Sequence, residues 1–206
     1  MKKMIAGAVV LAAVSNVALA DPMMDAMAPQ DQVGAILGAA LTFGGDKMAE
    51  YNVSYYGGGS SNEDIAAGER FYLFGGVYFQ HNDTPDLAYG AQVTVGWLFN
   101  DITAKNGSIS LDRYPLELIP YLKFDHLRFG IGVTKHTNIK FKDDAVYHFT
   151  STADDATGTV VLMEYMFDNH VSVGVRWVDI EYEFKDSYGS TTFDASHVGI
   201  GVNYLF

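Results

Sequence analysis

Ser196-His197 sets a candidate nucleophile beside a candidate base, the pairing that acyl transfer requires. In a regular strand, adjacent side chains point to opposite faces, so these two cannot readily share a hydrogen bond. No Gly-x-Ser-x-Gly turn is present to lift a serine out of a sheet. The expectation is therefore no catalytic residue and no enzyme. Six histidines, at 81, 126, 136, 148, 170 and 197, follow no metal-ligand spacing and read as ordinary surface residues. Glu63-Asp64, Asp143-Asp144 and Asp154-Asp155 offer the oxygen ligands that Ca²⁺ and Mg²⁺ take. None has the spacing of a defined calcium loop, so they read as solvated loop charge. Gly130-x-Gly132 and Gly199-x-Gly201 fall inside alternating runs and do not open a helix, which removes a nucleotide fingerprint. No metal and no cofactor are expected.

Composition narrows the class. The chain has 206 residues, no cysteine, 49% apolar and 18% charged residues, enough for one domain. It has 13 Lys and Arg against 25 Asp and Glu, and this acidic balance argues against nucleic acid as a partner. The absence of cysteine removes disulfides, thiolate metal sites and a cysteine nucleophile. Lys2 and Lys3 precede an apolar run over 5–14, and Ala18-Leu19-Ala20 has the small-x-small form of a cleavage site. Residues 1–20 thus read as a cleaved secretory signal and 21–32 as a flexible lead-in.

Beyond residue 20 no apolar stretch approaches the ~20 residues of a membrane helix. Alternation replaces it. Ala91, Val93, Val95, Trp97 and Phe99 alternate with Gln92, Thr94, Gly96 and Leu98. Leu127, Phe129, Ile131 and Val133, then Val171, Val173, Val175 and Trp177, repeat the pattern. A two-residue period is strand. Short and long connections alternate, which predicts eight antiparallel crossings over 33–43, 65–79, 87–99, 111–124, 127–141, 157–167, 170–184 and 192–206. Residues 48–56 also look strand-like and are assigned to an outer extension of the first hairpin. Loops are expected over 57–63, 101–107, 143–155 and 185–190.

Alternation fits either a soluble barrel with an apolar interior or a membrane barrel with an apolar exterior. The second face here is largely Gly, Ser, Thr and Gln, which suits the tight lumen of an eight-stranded membrane barrel. Phe79, Trp97, Phe99, Phe124, Phe167 and Trp177 lie near strand ends, where membrane barrels carry an aromatic girdle. The last strand closes on Val198, Ile200, Val202, Tyr204 and Phe206. With the signal segment, this resembles a Gram-negative outer-membrane β-barrel, and the terminal residues are similar to the assembly signal of that superfamily. Size and strand count resemble the small barrels of the outer membrane protein A and X type and the related W type. The resemblance implies an all-β, antiparallel, up-and-down transmembrane barrel over 33–206, located in the cell outer membrane with both termini periplasmic. It also implies the barrel-assembly machinery as partner during biogenesis, outer-membrane lipids and lipopolysaccharide as neighbours, and a monomer.

On this orientation Arg113, Glu117, Arg128, Glu164 and Arg176 face the lumen. Buried charges are expensive unless paired, so Arg113, Glu117, Glu164 and Arg176 are expected to form one network that plugs the barrel. After Trp177 the pattern puts Asp179, Glu181 and Glu183 on the lipid parity. Either the strand has left the hydrocarbon there or a bulge near Val178 swaps its faces. Pro115 and Pro120 each remove a ladder donor from the fourth crossing. The expected function is structural or surface interaction: membrane integrity and loop-mediated binding around a plugged lumen. The alternatives are a narrow channel for small hydrophobic or ionic solutes and, further off, a lipid A-modifying enzyme.

Overall fold

The computed structural model describes residues 30–54, 60–84, 86–104, 107–144, 148–167, 170–186 and 189–206. The signal segment and most of the lead-in lie outside the described residues. Among the described residues thirteen strands follow in chain order: β1 (Gln30–Phe43), β2 (Lys47–Ser54), β3 (Ser60–Ala66), β4 (Arg70–Asn82), β5 (Leu87–Ala104), β6 (Gly107–Phe124), β7 (Leu127–Asp143), β8 (Phe149–Thr152), β9 (Ala156–Met166), β10 (Val171–Asp179), β11 (Glu181–Asp186), β12 (Gly189–Asp194) and β13 (His197–Leu205).

Eight of them form a ring. The order β6-β5-β4-β1-β13-β10-β9-β7 is closed by the β6–β7 pairing, and every pairing is antiparallel. Closure within one chain leaves no unpaired edge along the band that faces hydrocarbon. The tightest described turn is Asp125-His126, where Asp125 takes φ 52°, a left-handed conformation that Asp tolerates and that matches the strand twist.

The remaining strands stand beyond one rim. Residues 48–54 do belong to an outer extension, and 55–56 lie outside the described residues: β2 and β3 pair as a separate two-stranded sheet between β1 and β4 in the chain. Three expected crossings are shorter than the alternation suggested, because the chain changes partners at the rim, at a turn within 65–79 and without a change of period in the other two. The stretch 65–79 divides between β3 and β4. The stretch 170–184 divides at Ile180 into β10 and β11, and 192–206 divides into β12 and β13. The last two breaks face each other and are bridged, with Ala195 N–H donating to Ile180 O at 2.9 Å and Ile180 N–H donating to Ser196 Oγ at 3.2 Å. The expected loops are correspondingly smaller, since β3, β8 and the tips of β5, β6 and β12 occupy much of them.

Outward positions form a continuous apolar band, including Leu37, Leu73, Val95, Leu116, Ile131, Met163, Val175 and Ile200, all exposed. Among the girdle residues, Trp97, Phe99 and Trp177 lie at the end nearer the extension, with Trp97 and Phe99 stacked at 4.2 Å. Phe79, Phe124 and Phe167 lie at the other end, where Tyr204 packs edge-on against Phe206 at 4.8 Å. No bulge occurs near Val178: Asp179 and Glu181 stay outward, while Ile180 and Tyr182 are buried. The strand has left the hydrocarbon, so the parity persists and the solvent changes.

The prolines coincide with gaps in the ladder. Pairing between β5 and β6 skips from Val95↔Leu116 to Leu98↔Arg113, around Pro115. Pairing between β6 and β7 skips from Leu118↔Val133 to Tyr121↔Gly130, around Pro120. Each proline thus interrupts one seam, and the ring stays closed through the residues on either side.

Candidate functional site

The interior has two zones, a polar lumen within the band and an apolar core in the extension. Arg113, Glu117, Arg128, Glu164 and Arg176 are all buried in the first. They do not form one network. Arg128 on β7 pairs with Glu164, its cross-strand neighbour on β9. Glu164 also accepts from Asn203 Nδ2, which donates to Ser172 Oγ at 3.1 Å. Separately, Arg176 Nη2 donates to Glu117 Oε1, and Thr94 Oγ1 donates to Glu117 Oε2 at 3.2 Å. Among the described residues Arg113 pairs with no carboxylate and instead donates to the carbonyls of Ala67 and Glu69. The turn that follows β3 supplies those acceptors, which a reading of strand parity could not place.

Aromatic rings cover the guanidinium planes. Arg176 lies 4.5 Å from the Tyr72 ring centroid and Arg128 lies 4.9 Å from that of Tyr121. In a lumen filled by side chains such contacts offset part of the desolvation of a cation. Glycine provides the space. A Cβ on Gly174, opposite Glu164, would sit 2.6 Å from Glu164 Cγ, and one on Gly199, opposite Arg176, would sit 2.9 Å from Arg176 Cγ. Each long charged chain therefore lies over a neighbour with no side chain.

Two histidines correct the surface reading. His136 and His197 are buried at the join between lumen and extension: β7 runs on past His136 as a wall of the extension, and His197 opens β13 just after the break from β12. His136 Nδ1 is 2.6 Å from Tyr182 Oη, and His197 Nδ1 is 2.9 Å from Ala195 O. Burial pushes the Tyr182 hydroxyl up to about 12, with the charge of Arg113 opposing. Asp143 is likewise buried and not solvated. Asp144, Asp154 and Asp155 pair with Lys142, Lys185 and Lys135. The described residues contain no group of three or more side chains arranged to hold a metal.

Above the polar lumen, Ile65, Ile102, Ile109, Leu111, Ile139, Phe141, Ile180, Tyr182 and Phe184 pack into a common apolar core. At its outer end a cavity of about 180 Å³ opens, lined by Met48, Phe141, Phe149, Ser151, Phe184, Lys185, Thr191 and Phe193. Phe141 packs on Phe149 and Phe184 on Phe193, each at 5.8 Å between ring centroids. The sequence reading missed this mouth. Its only local signal was the continued alternation Ile180, Tyr182, Phe184 past the band.

A closed antiparallel ring, an outward apolar band edged with aromatics and an inward set of paired charges define a transmembrane β-barrel of the outer-membrane kind. No protein-family model and no curated protein matches the chain. Among solved structures it is similar to the outer membrane protein AlkL in lipid bilayers, with 16% identity, 91% of this chain and 95% of that chain covered, and a TM-score of 0.46. It is similar to the outer membrane protein OprG of Pseudomonas aeruginosa at 15% identity, covering 84% and 95%, with a TM-score of 0.42. The class rests on the chain's own geometry.

Proposed function

We propose that this chain is an outer-membrane barrel with a closed lumen and a surface-binding role, and that its outer extension takes small apolar molecules. The cavity framed by Met48, Phe141, Phe149, Phe184 and Phe193 carries this reading. A solvated loop cluster with a purely structural task has no need of an apolar core continued to its tip. An enclosed apolar site of ~150 Å³ suffices for a benzene-sized guest, so a cavity of about 180 Å³ suits ligands of that class. Below it, Arg176–Glu117 and Arg128–Glu164 occupy the lumen, whose eight-stranded girth is only just wide enough for side chains.

Fluorobenzene titrated into the protein in lipid nanodiscs, followed by ¹⁹F NMR, tests the mouth. Saturable binding that disappears in Phe149→Glu, a half-exposed position that tolerates charge, is expected. Equal, non-saturable partition in both proteins overturns the reading. Planar-bilayer recording addresses the channel alternative: a closed lumen gives no stable single-channel steps, and regular steps favour conduction.

A further inference from the structure

The two lumen ion pairs share a wall. Glu164 of one and Arg176 of the other line the same cavity of about 20 Å³, together with Gln92, Asn203, Phe74 and Ile119. That is room for about one water molecule. Most of the lining is apolar, from Phe74, Ile119 and their neighbours, but Gln92, Glu164, Arg176 and Asn203 supply the few polar partners a single water requires. Gln92 is buried and its Oε1 has no hydrogen-bond partner among the described residues; Arg176 is buried and its Nε has none. Glu164 Oε2 is taken up by the Arg128 guanidinium, while Oε1 accepts from Asn203 and keeps a further lone pair. A cation is opposed by the Arg176 guanidinium and an anion by Glu164. An apolar guest would leave Gln92 Oε1 buried and unpaired, which costs free energy.

We infer that this cavity is the seat of one resident water, accepting from Arg176 Nε–H and donating to Gln92 Oε1 and Glu164. The water joins two separate pairs into one hydrogen-bonded plug running Arg128, Glu164, water, Arg176, Glu117, Thr94. The plug holds ions out without relaying protons, since a guanidinium in the chain does not release its own. The site deepens the closed-lumen part of the proposed function and is independent of the apolar mouth.

Isotope-labelled protein in nanodiscs tests it by magnetisation transfer from water to the Arg176 Nε–H. A cross-peak is expected in the natural sequence and its loss in Gln92→Leu, with the backbone spectrum otherwise kept. A protected Nε–H with no water cross-peak in the natural sequence overturns the proposal, whether or not the barrel conducts in a bilayer. A second measurement uses Glu117→Gln and Glu164→Gln, singly and together. Their unfolding-temperature losses should depart from additivity by several degrees in the natural background and add in the Gln92→Leu background. Additive losses in both backgrounds overturn the link between the pairs.

Discussion

Arg176 on β10 reaches across the barrel to Glu117 on β6, three strands away round the ring, and donates from Nη2 to Oε1. Arg128 and Glu164, by contrast, are wall neighbours on adjacent strands. The first pair ties opposite sides of the lumen and the second stiffens one side. Removing one partner of a buried pair leaves an uncompensated charge, which costs much more than the pair contributes net.

Arg176→Glu should therefore lower the temperature at which the heat-dependent gel mobility shift occurs by roughly 10 °C or more, from a loss of ~3–5 kcal/mol or above. Arg176→Met combined with Glu117→Gln, which removes both charges, should recover part of that loss. An unchanged transition in Arg176→Glu contradicts the plug.

Gly174→Val and Gly199→Val should both destabilise, and unequally. The new Cβ at 174 meets the backbone carbonyl of Met163 at 2.5 Å, whereas the one at 199 meets chiefly the flexible Arg176 side chain, at 2.9 Å. Backbone gives way less readily than side chain, so the 174 variant should lose more assembled barrel when folded fractions are compared on unboiled gels. Equal yields would mean that the close approach over Glu164 is not limiting.

Tyr182 provides a pH test in the extension. Its hydroxyl, pushed up to about 12 by burial, ionises at ~10 when unfolded. Because the folded value is the higher one, the stabilisation is complete below about pH 10 and fades as pH rises towards 12. Natural protein should be more stable than Tyr182→Phe at pH 8, where the phenol satisfies His136. That advantage should shrink between pH 10 and 12. Parallel unfolding-temperature profiles for the two proteins would refute the burial argument.

Ser196 and His197 should prove dispensable for lipid chemistry. Ser196 Oγ donates to Asp179 Oδ1 at 3.1 Å and accepts from Ile180 N–H, while His197 Nδ1 is 2.9 Å from Ala195 O. Both polar groups are engaged locally and in different directions. Replacing the two with alanine should leave the lipid A mass spectrum of the producing strain unchanged, and a gain or loss of one acyl chain would establish an enzymatic role.

The fold was legible because a two-residue period needs no tertiary information: Leu127, Phe129, Ile131 and Val133 must share a face wherever the strand lies. Inward placement of Arg113, Glu117, Arg128, Glu164 and Arg176 followed from the same parity. What parity does not carry is distance. That Arg176 meets Glu117 across the lumen, that Arg113 finds the carbonyls after β3, and that His136 is buried under Tyr182 are contacts between residues 44 to 59 positions apart. Nor does parity reveal where the medium outside the strand changes from lipid to water. The run from Ile180 to Phe184 keeps its period and alters its purpose, from barrel wall to lining of an apolar mouth. Local sequence determined which face each side chain takes, because backbone geometry does so residue by residue. Ring closure and the partner changes at the rim decided which faces meet, because those depend on how distant strands are brought together.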